Sequence, residues 1–154
     1  MNHSFHISKV DHTGIAVRSL DESLRFWVDA LGFEVLMRDK FPPGEFMTQV
    51  IGVPNVGVEV AFLSRGDHTI ELCEYSTPEE PKVFAPRPCD IGAFHVCLLT
   101  DNVEATLSRV AAAGWKAIGV PQTVAVGPKK GMRVVYVRGP DGTTVELWQP
   151  PCEP

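Results

Sequence analysis

The chain repeats itself once, and that repetition limits its fold more than any other feature. The first half opens on His12-Thr-Gly-Ile-Ala-Val and closes on Thr69-Ile-Glu71-Leu-Cys-Glu-Tyr75. The second half opens on Phe94-His95-Val-Cys-Leu-Leu99 and closes on Thr144-Val-Glu146-Leu-Trp-Gln149. Each half begins with a strand carrying a histidine and ends with a strand carrying a glutamate. The histidine-to-glutamate separation is 59 residues in the first half and 51 in the second. The extra length falls in Phe41 to Asn55, a stretch containing Pro and Gly that reads as a loop. Two copies are too few for a solenoid, so the pattern indicates a duplicated module.

The spacing inside each half predicts the same element order. Ser19-Leu-Asp-Glu22 has the form of a capping box, and Leu20, Leu24, Trp27, Val28 and Leu31 follow at helical period until Gly32. Asp101-Asn-Val-Glu104 repeats that logic in the second half, with Val103, Leu107, Val110 and Ala111 as the apolar stripe and Gly114 as its end. Strands are expected at Phe33–Asp39, Val56–Leu63, Thr69–Tyr75, Ala117–Ala125, Met132–Arg138 and Thr143–Gln149, with turns at Arg65-Gly-Asp67 and Gly139-Pro-Asp-Gly142. The expected fold is α+β. Two tandem βαβββ modules form a curved, eight-stranded mixed sheet around a cleft. Module one covers 8–76 and module two 92–150, joined by a linker at 77–91 that holds four prolines.

Composition sets the class. With 154 residues, 44 % of them hydrophobic and 21 % charged, the chain can bury a single-domain core without disulfides. A net charge of −5 without a basic stripe excludes nucleic acid and anionic membrane surfaces as partners. No apolar run reaches the roughly 18 residues of a membrane span, and the first ten residues lack the apolar core of a secretory signal. Cys73, Cys89, Cys97 and Cys152 form no CxxC pair, so reduced thiols and a cytoplasmic location are expected.

Strand alternation then groups the residues that could carry chemistry. His12 shares a face with Gly14 and Ala16, Glu71 with Cys73 and Tyr75, His95 with Cys97 and Leu99, and Glu146 with Trp148. Curvature of the first and last strands of each module towards one cleft would bring two imidazoles and two carboxylates together. Such a set suits a divalent transition ion, the imidazoles as ligands and the carboxylates as neutralising charge.

These residues also resemble a known family. Asp11-His12-Thr-Gly-Ile-Ala-Val, Leu20-Asp-Glu-Ser-Leu-Arg-Phe-Trp-Val-Asp-Ala-Leu-Gly-Phe33, Ile70-Glu71-Leu, Gly92-Ala-Phe-His95-Val and Arg138-Gly-Pro-Asp-Gly-Thr-Thr-Val-Glu146-Leu are similar to segments of the vicinal oxygen chelate superfamily. That superfamily includes glyoxalase I, methylmalonyl-CoA epimerase, extradiol dioxygenases and bleomycin- and fosfomycin-resistance proteins. The resemblance spans Asp11 to Pro150 and implies a metal on His12, Glu71, His95 and Glu146. With all four bound, two cis positions stay open for an oxygen-chelating substrate and enolate stabilisation by one Zn, Ni, Co or Mn ion. With only His12, His95 and Glu146 bound, the site would be an Fe(II) facial triad suited to oxygen chemistry. The expected activity is therefore metal-dependent proton transfer next to a carbonyl, as an isomerase, epimerase or glyoxalase-type lyase. Glu146 or Glu71 would serve as the base. An Fe(II) extradiol dioxygenase and a metal-free drug-sequestering protein are the rival readings. The implied substrate is a small molecule with adjacent oxygens or an acyl thioester, and the implied assembly is a homodimer.

Further residues carry both structural and functional readings. Glu59 could be a second base, though Asn55 stands where an epimerase would place a glutamate. Lys129-Lys130 could hold an acidic group or form a solvated turn. Phe41 to Phe46 could be a substrate lid or an ordinary loop. Tyr75 and Trp148 could line the cleft, Cys73 and Cys97 are expected as small buried thiols, His68 as an exposed residue, and His3 and His6 as part of a tail.

Overall fold

The computed structural model describes residues 5–76 and 81–151. Module one contains β1 (Thr13–Val17), α1 (Leu20–Leu24) continuing as a π-helical segment (Arg25–Ala30), β2 (Glu34–Phe41), α2 (Glu45–Ile51), β3 (Gly57–Arg65) and β4 (His68–Ser76). Module two contains β5 (Val96–Leu99), α3 (Val103–Ala112), β6 (Lys116–Ala117), β7 (Gln122–Thr123), β8 (Arg133–Arg138) and β9 (Thr144–Gln149). The α+β class and the repeated topology are as expected. Within one chain the strands form two sheets, β1-β4-β3-β2 and β5-β9-β8-β6, with β7 also on β8. In both sheets the opening strand lies parallel to the closing one, and among the described residues β1 and β5 are free edges.

Local chemistry explains the elements and the departures. The Ser19 hydroxyl accepts from the Glu22 amide at 3.3 Å, which caps α1 as the capping box predicts. In module two the cap is Asn102 rather than Asp101, because the Asn102 carboxamide oxygen accepts from the Ala105 amide at 3.0 Å. The single helix expected over Leu20–Leu31 widens after Leu24, and the Leu31 amide reaches the Phe26 carbonyl at 3.1 Å. The wider turn lets the consecutive Phe26 and Trp27 both face inward, each 1 % exposed. The strand expected over Ala117–Ala125 is split into β6 and β7, with Gly119 and Pro121 between them. The loop expected over Phe41–Asn55 contains α2, which Met47 holds against the sheet.

One apolar core serves both modules. It takes Ile70, Leu72, Ala61 and Leu63 from the first sheet and Val145, Leu147, Val135 and Val137 from the second. Between them lie Phe26, Trp27, Val110 and Trp115, with the Phe26 and Trp115 rings stacked at 3.5 Å. Arg109 of α3 donates to the Asp29 carbonyl at 2.9 Å and ties the two helical layers together. A second cluster, Met47, Val56, Val58, Val60 and Cys73, sits on the opposite face of the first sheet under α2. Among the described residues no helix is long and apolar enough to cross a membrane.

Candidate metal centre

The alternation that buries Ile70 and Leu72 in the shared core turns Glu71 to the other face of the first sheet. There His12 Nε2 lies 3.2 Å from Glu71 Oε2. On the other side of the ring, Nδ1 donates to Asp11 Oδ2 at 3.0 Å. That hydrogen bond, and then Lys9 at 3.1 Å, hold the Asp11 carboxyl below its ordinary value. Phe62, directly opposite Glu71 in the β3–β4 register, meets the His12 ring edge-on at 5.4 Å.

Module two repeats this arrangement. His95 Nε2 lies 3.3 Å from Glu146 Oε2. Tyr136, directly opposite Glu146, meets the His95 ring edge-on at 5.1 Å. Burial and then the neighbouring Glu146 push the Tyr136 phenol up. Glu146 itself is only 7 % exposed, a carboxylate withdrawn from water that needs a compensating cation.

The donor chemistry fits a divalent ion. With His12 Nδ1–H committed to Asp11, the Nε2 lone pair faces a carboxylate oxygen, and a cation or a second ring proton must stand between them. Two cis ligands on metal bonds of roughly 2.1 Å lie about 3.0 Å apart, close to both observed separations. The carboxylate behind His12 is the usual device for orienting a ligating imidazole.

The structure brings each histidine to its own glutamate but leaves the two pairs apart. Both lie on sheet faces turned away from the shared core. Among the described residues no group of three or more His, Cys, Asp or Glu side chains could hold one ion. Asp11, Phe62 and Tyr136 escaped the sequence reading. The acidic residue beside His12 was visible, and counting back from the hairpin turns would have found both aromatics.

Glu59 is not in the site: it stands opposite Glu74 on the other face and is bound by Arg38. Cys73 is buried and Cys97, expected to be buried, is exposed at the sheet edge. Desolvation and then the adjacent glutamate, Glu71 or Glu146, raise each thiol to about 11, so neither is a thiolate near neutrality. Among the described residues Cys89 is also a free thiol, and Cys152 lies outside them, as does His3. Tyr75 borders the cluster under α2, and Lys129 Nζ sits 5.7 Å above the Trp148 ring on the Glu146 face. His68 is exposed and hydrogen-bonds the Thr13 hydroxyl at 3.2 Å.

Comparison with known proteins adds the lineage. A family model described as Glyoxalase/Bleomycin resistance protein/Dioxygenase superfamily matches residues 9–147. The chain is 31 % identical to a 2-epi-5-epi-valiolone epimerase of Actinomyces sp., over 90 % of this chain and 77 % of that protein. It is 30 % identical to a probable lactoylglutathione lyase of Synechocystis, over 90 % of this chain and 92 % of that one. Among solved structures, a glyoxalase family protein from Bacillus cereus superposes with a TM-score of 0.79 at 23 % identity, covering 99 % of both chains. The repeated modules, the paired donors and these matches agree, and the chain belongs to the glyoxalase/bleomycin resistance protein/dioxygenase superfamily.

Proposed function

We propose that this protein is a divalent-metal-dependent enzyme that moves a proton next to a carbonyl, as an epimerase, isomerase or glyoxalase-type lyase. The observation that carries the reading is the same Nε2–Oε2 pair, at 3.2 and 3.3 Å, on both copies of the module. The names of two relatives, an epimerase and a probable lactoylglutathione lyase, support it. His12, Glu71, His95 and Glu146 would hold one Zn, Ni, Co or Mn ion. When bound, the ion supplies Lewis-acid polarisation of the substrate carbonyl. Asp11 holds the His12 ring in the tautomer that offers Nε2. Glu146 or Glu71 takes the proton from the carbon beside the carbonyl on a carboxylate oxygen and returns it to the same or the neighbouring carbon. Tyr136 keeps the Glu146 carboxylate company in a poorly hydrated corner.

The shared core supports a two-copy form of this reading. Each chain offers two half-sites facing outward, so the four-ligand set is completed between two copies, one giving His12 and Glu71 and the other His95 and Glu146. A twofold dimer of this kind holds two such sites.

The test is elemental analysis of the protein purified without chelator, alongside His95→Ala and Glu71→Gln. About one Zn, Ni, Co or Mn per chain, lost in both variants, supports four ligands. Metal-dependent exchange of solvent deuterium into the α-position of a hydroxyketone supports the reaction class. Iron that survives Glu71→Gln, together with oxygen uptake on catechols, contradicts it in favour of oxygen chemistry.

A further inference from the structure

We propose that Arg138 is a positioning residue for His95: it clamps the strap of residues 84–93 to the β8–β9 hairpin and so fixes where the imidazole stands before any ion binds. The inference rests on the metal-centre reading above and goes beyond its four ligands.

His95 needs such support. It directly precedes β5, whose register with β9 begins at Val96, so it lies outside the paired residues. The residue before it is Phe94, 60 % exposed, where His12 has Asp11. The carboxylate that orients the first imidazole therefore has no counterpart in sequence behind the second. A ligand left free must be ordered when the ion binds, and that loss of freedom weakens the affinity. A ligand ordered beforehand avoids the loss.

β8 supplies the order twice. Tyr136 meets the His95 ring edge-on at 5.1 Å. Arg138 lies two residues on, hence on the same face of β8, and donates through Nη2 to the Pro86 carbonyl. The same nitrogen lies 3.5 Å from the Thr144 hydroxyl, which stands opposite it on β9. The planar guanidinium thus bridges the closing strand and the strap.

The strap is held from that point towards the histidine. Gly142, at φ +85°, lets the Phe84 carbonyl and Ala85 pass close against the hairpin turn, where a β carbon would collide with both. Beyond Pro86, the Arg87 amide donates to Asp90 Oδ2 at 2.8 Å and the Arg87 guanidinium to Asp90 Oδ1 at 3.0 Å. The Asp90 amide donates to the Arg87 carbonyl and the Ala93 amide to the Asp90 carbonyl, each at 3.0 Å. The Arg87 bonds hold the Asp90 carboxyl below its ordinary value, and the Arg138 charge adds to this. Successive bonds thus tie residues 84–93 to the hairpin and to one another, and His95 follows two residues later.

The experiment is a Co(II) titration of the full chain followed by visible absorption, with hydrogen exchange on the same protein before metal is added. Arg138→Met, Arg138→Lys and Asp90→Ala run in parallel with the wild type. Arg138→Met should weaken Co(II) binding roughly tenfold or more, alter the absorption spectrum of the bound ion, and speed exchange of the Arg87, Asp90 and Ala93 amides. Arg138→Lys keeps a donor for the Pro86 carbonyl and should recover part of each change. Asp90→Ala removes strap bonds that lie outside the apolar core, and it should weaken Co(II) in the same direction even where Arg138→Met fails to fold. An Arg138→Met protein that unfolds at lower temperature but keeps the wild-type Co(II) affinity and spectrum overturns the inference and leaves the four ligands standing. A folded wild type that takes up no Co(II) overturns both.

Discussion

At the scale of single residues, the site is governed by which side of a strand each donor occupies. Alternation counted from the sequence put Glu71 with Cys73, and in the structure Cys73 stands opposite Val60 on the face away from Ile70 and Leu72. What could not be counted was contact across strands, so Phe62 and Tyr136 were not seen beside the histidines. Asp11 is the residue whose importance is easiest to measure. Asp11→Asn retains every proposed ligand but loses the charge behind His12, and it should weaken metal uptake roughly 10–100-fold in a competition titration. Unchanged affinity would show that the Asp11–His12 bond is ornamental. The thiols make a second prediction. Cys73 has an ordinary value of 9.0 and stands at about 11 in the fold, so the unfolded chain releases its proton first. The stability this supplies is present below pH 9 and is lost as the pH climbs towards 11. Urea midpoints should therefore fall more between pH 8 and 10.5 for the wild type than for Cys73→Ala, and equal falls would contradict the assignment.

At the scale of elements, the two modules were legible because a duplication repeats its own signals. The capping box at Ser19 and the closing strand at Glu146 each have a counterpart in the other half. Elements that depend on tertiary contact were not legible. The helix α2 is seven residues long, lies between Pro42-Pro43-Gly44 and Gly52-Val-Pro54, and shows too few turns for a period to register. It exists because Met47, 7 % exposed, and the half-buried Ile51 pack on Val58, Val60 and Cys73. Met47→Ala should cost roughly 2 kcal/mol of stability in urea unfolding, within the range for truncating a buried Met. Val50→Ser, on the exposed side of the same helix, should cost well under half of that. Equal costs would mean that α2 is not anchored through its inner face. The widening of the first helix after Leu24 has the same origin, since burying both Phe26 and Trp27 is a demand of the core and leaves no trace in the apolar spacing.

At the scale of the whole molecule, the decisive fact is that one core lies between the two sheets. The sequence repeats four donors in order but leaves open whether they meet within one chain or between two copies. Nothing in the spacing reports which sheet faces the shared layer of Phe26, Trp27 and Trp115 will bury. Once they bury Leu72 and Leu147, Glu71 and Glu146 must face outward, and the proposed four-ligand set needs a second copy to complete it. Complementation measures this directly. His12→Ala and His95→Ala are purified separately and then produced together in one cell, and bound metal is counted after purification without chelator. Each variant alone should hold no metal. Random pairing should restore one intact site in each mixed dimer, or about a quarter of the wild-type metal. Metal retained by either single variant, or none regained on co-production, would contradict a four-ligand site shared between two copies.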